Sequence, residues 1–319
     1  MLVADRIYPR PSYSVLWRVV RTFLRRGRRG PSWRLRGAIR TAALLGLLLP
    51  ISAWPAELKP QTAAAYRKYL AGVEQRTQAR DSSSTGFLWI DGKTDRWEQV
   101  RAGTILTQQI KSPSIPGGMV QDWVGAVFIP GATLAEAESV HRDYADYGKI
   151  YAPDISHPKV LSHDGNRYVV SYRITEKKFL TAVVDVVNEV RYIPLGPRKL
   201  AVWSESQSVR QVDHAGTPSE VVLPPEKGLG MLWAIDTYWR IEQRDEGAYI
   251  ECEAVSFSRE IPLEMDRLLA PILRSFAENS LVNTLAAKKR AIQSLPAYHS
   301  VALPSANRER GAREVPSLH

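Results

Sequence analysis

Catalysis and metal binding need reactive side chains brought close together, and in this chain of 319 residues they are scattered. The six histidines are His141, His157, His163, His214, His299 and His319, and four of them fall in stretches that read as loop or tail. No cluster at metal-ligand spacing is expected from them. The only cysteine, Cys252, sits on the inward set of an alternating strand, where a thiol packs rather than attacks, and it has no partner for a disulfide. Gly228-Leu229-Gly230 lacks the lysine and the strand-to-helix setting of a phosphate loop. No serine stands in a nucleophile-elbow pattern. Glu251 and Glu253 share a strand face as a working carboxylate pair would, but Tyr238 and Arg240 oppose them, so a solvated ion pair on the outward face is the expectation. Arg191 and Tyr192 are candidate polar groups at a cavity mouth. Neither a catalytic residue nor a cofactor site emerges.

What remains is a lining. Ser204, Ser206 and Ser208 form a row of small hydroxyls that either faces a cavity needing some polar atoms or marks an exposed sheet edge. Trp233 and Trp239 on an inward face would contact an apolar guest or simply fill the core.

The elements that must position these groups follow from periodicity. Residues 231–243 alternate, with Trp233, Ile235, Trp239 and Ile241 on one side and Arg240 and Glu242 on the other. A polar turn at 244–247 leads into 248–258, which alternates again, with Ile250, Cys252 and Ala254 inward. Pairing Gln243 with Ala248 sets Ile241 against Ile250, Trp239 against Cys252 and Arg240 against Glu251; a slip of one residue would turn the indoles outward. Beyond Pro262 the period becomes helical, with Leu281, Leu285 and Ile292 on one stripe, and Pro271 and residues 278–280 suggest a broken helix. Earlier in the chain we expect a helix at 60–80, short strands at 87–90 and 104–110, a loop at 112–118 and a buried strand at 119–129. Thr133 to Glu136 has the capping-box form and opens a helix to about Tyr147. A turn at 162–165 precedes three strands at 167–175, 179–192 and 199–212, whose inward sets include Tyr168, Val170, Tyr172, Val184 and Val190. A long loop at 213–228 closes the order, which argues for an α+β fold with one curved antiparallel sheet around the last helix.

Charge is unevenly spread. Of 43 basic and 33 acidic residues, eleven arginines and Asp5 fall within 1–53, leaving 32 of each sign in a neutral body. A neutral body offers no phosphate-neutralising surface, which excludes nucleic acid as a partner. The arginines precede a short apolar run, 41–53, closed by small residues, the order of a secretory signal peptide. The expected location is periplasmic or secreted, with an inner-membrane anchor as the alternative.

Three segments, DWVGAVFIPGAT at 122–133, EVRYIPLG at 189–196 and YIECEAVSFSREIP at 249–262, resemble a secreted bacterial branch of the START-like (SRPBCC, helix-grip) superfamily. The resemblance spans roughly 119–295. It implies 54–118 as an N-terminal helix and strand extension and a START-like domain at 119–295, and the polar, proline-dotted composition of 296–319 reads as a disordered tail. It also implies an apolar tunnel between sheet and C-terminal helix. The expected partner is a hydrophobic or amphipathic small molecule of the lipid, isoprenoid or quinone class, with transient membrane contact. Tyr168, Tyr172, Val184, Ser204, Ser206, Trp239, Cys252, Leu281 and Leu285 are its expected contacts. The alternatives are a cyclase or dehydratase of the same superfamily, and an envelope interaction module working through the 213–228 loop.

Overall fold

A computed structural model describes residues 57–176, 181–261 and 263–296, with backbone alone for 263–273. The signal-peptide reading at 1–53, residues 54–56 and the tail from 297 lie outside the described residues. Five helices and nine strands follow in the order α1 (Pro60–Asp81), α2 (Thr94–Arg101), β1 (Leu106–Ile110), β2 (Gly118–Pro130), α3 (Leu134–Arg142), a 3-10 turn (Tyr144–Asp146), α4 (Tyr147–Ile150), β3 (Ile155–Asp164), β4 (Arg167–Glu176), β5 (Ala182–Pro194), β6 (Lys199–Asp213), β7 (Val221–Val222), β8 (Ala234–Arg244), β9 (Gly247–Arg259) and α5 (Leu263–Gln293).

The long strands form one antiparallel sheet in the order β1-β2-β9-β8-β6-β5-β4-β3, with β7 paired to β6. It is curved, and α5 lies in its concave face, the expected α+β arrangement. The β8–β9 hairpin has the register read from alternation: Gln243 faces Ala248, Ile241 faces Ile250, Trp239 faces Cys252 and Arg240 faces Glu251. Gly247 is required at its corner, because φ is 148° and a Cβ there would meet the Ile129 carbonyl oxygen at 2.3 Å. A second glycine sets the depth of the grip. At Gly125 of β2 a Cβ would stand 2.9 Å from Leu285 Cδ1 and 3.1 Å from Leu281 Cδ2, so the bare backbone lets α5 approach the sheet.

The N-terminal stretch from residue 57 to 118 is built into the same body. The described residues form one compact unit, with β1 paired to β2 and α1 laid over the convex face. Its buried Thr62, Tyr66, Val73 and Thr77 fall on one helical stripe.

Several expectations are corrected. Residues 87–90 are turns rather than a strand: Phe87, Leu88 and Ile90 are all buried and do not alternate, and Leu88 N–H donates to Asp91 Oδ2 at 2.9 Å. They wedge with Val100 of α2, a helix the sequence reading passed over, against Ala126, Phe128 and Tyr249. Strand β3 was also missed, because as an edge strand it is mostly exposed and its ladder shifts register between Ser156 and Lys159. The Thr133 capping box is complete, but the helix it opens ends at Arg142, where Asp143 starts a separate 3-10 turn. The last helix is continuous from Leu263 to Gln293. Its polar middle bonds back within the helix, as Thr284 Oγ1 donates to the Ser280 carbonyl at 2.8 Å and Asn279 Nδ2 to Ser275 Oγ at 3.1 Å. A proline at one interior turn removes one amide but does not interrupt a helix held on both sides.

Candidate functional site

A cavity of about 290 Å³ opens between the concave sheet face and α5. Strands β4, β5, β6 and β8 supply one wall with Tyr172, Ile174, Val190, Ser204, Thr237 and Trp239. Ser280, Asn283, Thr284, Ala287 and Arg290 of α5 form the second, and the segment from Tyr144 to Ile155 forms the third.

That third wall is a tyrosine fence. Tyr144, Tyr147 and Tyr151 stand three and four residues apart, spacing that stacks side chains on one face of helical backbone. Their rings touch in sequence, at centroid distances of 4.9 and 5.0 Å. Tyr147 donates to the His141 carbonyl at 2.7 Å, Tyr192 donates to the same carbonyl at 3.1 Å, and the Tyr144 and Tyr192 hydroxyls are 2.8 Å apart. Burial raises the pKa of Tyr147, Tyr151 and Tyr172, so all three remain phenols. Across the cavity Asn188 Nδ2 donates to Tyr172 Oη and Ser204 Oγ, each at 2.9 Å. Both hydroxyls keep their own hydrogens for another acceptor.

Behind the fence lies a pair the sequence reading did not assemble. His141 lines the cavity, its Nδ1 lies 2.5 Å from Lys288 Nζ, and its ring stands edge-on to Trp239 at 5.0 Å. Lys288 is wholly buried, with its ammonium position 4.6 Å above the Trp239 ring. Burial first, then Lys288 and Arg142, hold the imidazole well below its ordinary pKa. Burial also lowers the amine to about 7, against a small opposing effect of Cys252. A helical signal for Lys288 was present: Leu281, Leu285, Lys288 and Ile292 share a stripe, so a cation sits where apolar residues belong.

The nine expected contacts divide. Tyr172, Ser204 and Trp239 meet on the cavity wall. Tyr168 stands beside it, stacked on His163 at 4.1 Å and reached by Arg142. Val184 packs with Val186 and Val209 in a separate cluster. Ser206 is drawn away to Asp236, its amide donating to Oδ1 at 2.8 Å. The β6–β8 ladder ends at Ser204 opposite Thr237, so Ser206 lies beyond the paired stretch, where Asp236 captures it. Cys252, Leu281 and Leu285 belong to the core between α5 and the sheet, with burial raising the thiol far above its ordinary pKa. Arg191 faces away from the cavity and pairs with Glu205, whereas Tyr192 is buried inside. Trp233 packs on Phe257 on the α1 side, since the ladder that would impose alternation starts at Ala234.

The largest departure is on the other face. Arg240, Glu251 and Glu253 are buried, at 1%, 0% and 1% exposure, rather than solvated. Helix α1 covers them and brings its own charges: Arg76 reaches Asp122 and Glu253 at 2.6 and 2.5 Å, Arg80 reaches Glu251 at 2.6 Å, and Asp81 receives Arg240 at 3.0 Å.

No protein-family model and no curated protein sequence matches the chain. Among solved structures it is similar to a STAR-related lipid transfer protein fragment from Xanthomonas axonopodis, at 15% identity over 59% of this chain and 97% of that one, with a TM-score of 0.38. It is similar to the Zhui aromatase/cyclase from a Streptomyces species, at 13% identity over 56% and 98% of the two chains and a TM-score of 0.38. Human STARD10 matches at 14% identity over 61% and 76%, with a TM-score of 0.37. A curved antiparallel sheet closed around a C-terminal helix, with a cavity between them, is a helix-grip arrangement of the α+β class.

Proposed function

We propose that this chain is an exported binding protein that holds one hydrophobic or amphipathic small molecule between its sheet and C-terminal helix. The observation that carries the reading is the cavity of about 290 Å³, walled by Tyr172, Ser204 and Trp239 on the sheet and by Ala287 and Thr284 on α5. Its size lies just below the range usual for small-molecule sites, about 300–1,000 Å³. A compact guest suits it better than a long acyl chain. Export through the arginine-rich leader at 1–53 would place that guest in the periplasm or outside the cell, with membrane contact where the guest is loaded.

Native mass spectrometry of the full chain, purified from cells that export it, tests the reading. One adduct per chain, released on denaturation and identified by extraction, is the expected result. A chain that stays at its bare mass and takes up no apolar probe contradicts it.

A second reading, a cyclase or dehydratase, is favoured by one observation, the imidazole of His141 on the cavity wall. Turnover of a carbonyl substrate that is lost in His141→Gln, with the fold retained, would replace the first reading.

A further inference from the structure

We infer that the guest of this cavity is an acid bound as its anion, and that it supplies the counter-charge that Lys288 lacks. The inference rests on the binding-protein reading and narrows its ligand to molecules that join an apolar body to a carboxylate or another acidic oxygen.

Among the described residues two lysine or arginine side chains are fully buried, Arg240 and Lys288. Arg240 has Asp81 at 3.0 Å and Glu251 at 3.4 Å. Lys288 has no carboxylate partner among the described residues. The groups that face it are His141 and, beside that, Arg142 from α3, Cys252 from β9 and the Trp239 ring from β8. The thiol is kept neutral by burial, and Glu251 and Glu253 lie on the opposite face of β9, paired with Arg76, Arg80 and Arg240. A buried ammonium without a counter-ion is expensive, and the ordinary escape is loss of its proton. An anion brought into the cavity offers the other escape.

His141 is placed to relay that charge. Two nitrogens 2.5 Å apart have room for one hydrogen between them. When the pair carries its extra proton, whichever nitrogen formally owns the charge, Nε2 bears a hydrogen. With Nδ1 committed to Lys288, Nε2 is the ring nitrogen left for a guest. The unused hydroxyl hydrogens of Tyr172 and Ser204 face the same space, and Tyr151, which makes no side-chain hydrogen bond among the described residues, adds a third hydroxyl. Arg290 stands exposed on the α5 wall, and the wall's single carboxylate, Asp154, forms no ion pair with either cation. Donors therefore outnumber acceptors around the cavity, the pattern an anionic oxygen completes.

The test is calorimetric titration of the full chain with 1-naphthoate and with its neutral counterpart 1-naphthalenemethanol, in two buffers of different ionisation enthalpy at pH 8. Wild type should bind naphthoate at least tenfold tighter and take up a proton on binding. Lys288→Met should bring the two affinities together, with an unchanged circular dichroism spectrum reporting that the variant is folded; His141→Gln should reduce the preference. Equal binding of both probes by wild type overturns the inference and leaves the cavity reading intact, as does a preference that survives in Lys288→Met. Binding of neither probe overturns both.

Discussion

The two faces of the sheet each bury a cation, and they treat it differently. On the convex face Arg240 lies in a closed network with Asp81, Glu251 and, through Glu251 and Glu253, Arg80 and Arg76. Even its remaining donor is used, since Nη2 reaches the Thr77 carbonyl at 2.9 Å. On the concave face Lys288 meets an imidazole, an indole and a thiol. Charge on the first face is structural: it fixes where α1 docks, with Tyr66 donating to Asp236 at 2.6 Å and Tyr69 to Asp122 at 2.5 Å. Charge on the second face is incomplete within the chain, and it lies beside the cavity. The contrast teaches that burial of a charged group marks function only when its partners are missing.

Substitution should therefore have opposite results on the two faces. Arg240→Met takes from Asp81 its one ion-pair partner among the described residues and leaves Glu251 with Arg80 alone, and loss of one partner of a buried pair costs about 3–5 kcal/mol. Urea unfolding should register that loss, whereas Lys288→Met, which removes an unpaired buried charge, should leave the guest-free protein as stable as wild type or more so. Equal destabilisation by both would erase the distinction. Next in size, Leu285→Ala on the gripping helix should lose about 2–5 kcal/mol, because Leu285 is fully buried against Gly125 and the helix cannot collapse into the space.

pH separates the faces further. Burial, then Glu253, push Asp122 up to about 7 against the pull of Tyr69 and Arg76. The folded state thus holds a proton that the unfolded state releases near pH 4, so stability falls as pH rises from about 4 to 7. Lys288 acts in the opposite sense: lowered to about 7 from 10.5, it leaves the unfolded chain holding the extra proton, and stability rises from about pH 7 to 10.5. Each slope is at most about 1.4 kcal/mol per pH unit. Melting temperature against pH should lose part of the lower limb in Asp122→Asn, the rest belonging to Asp236, which burial raises to about 6, and should lose the upper limb in Lys288→Met. The smallest expected effect is at Thr133, whose hydroxyl accepts from the Glu136 amide at 3.2 Å; Thr133→Ala should cost about 1 kcal/mol.

How much of this was legible in the sequence follows the same division. Hairpin register, the capping box and the α1 stripe are local patterns, and Tyr172, Ser204 and Trp239 fell on the cavity wall because strand alternation placed them inward. The charged face could not be read that way. Arg240 opposite Glu251 looks like a solvated pair until α1, more than 150 residues earlier in the chain, covers it. His141 likewise meets Lys288 across 147 residues. What could have been noticed is the lysine itself, spaced as a core residue between Leu285 and Ile292, and the run of Tyr144, Tyr147 and Tyr151 at helical intervals. Ser206 misled because the β6–β8 ladder stops at Ser204 and leaves Ser206 to bond Asp236, and no local pattern announces that end.

The account stands on the claim that the cavity at Ala287 is where a guest sits. Ala287→Trp should fill it from the helix side, and calorimetric titration of that variant with 1-naphthoate measures the consequence. Binding by wild type, and none by a variant whose circular dichroism and helix content are unchanged, is the predicted result. Undiminished binding by the filled variant would place the guest elsewhere on the molecule and contradict the account.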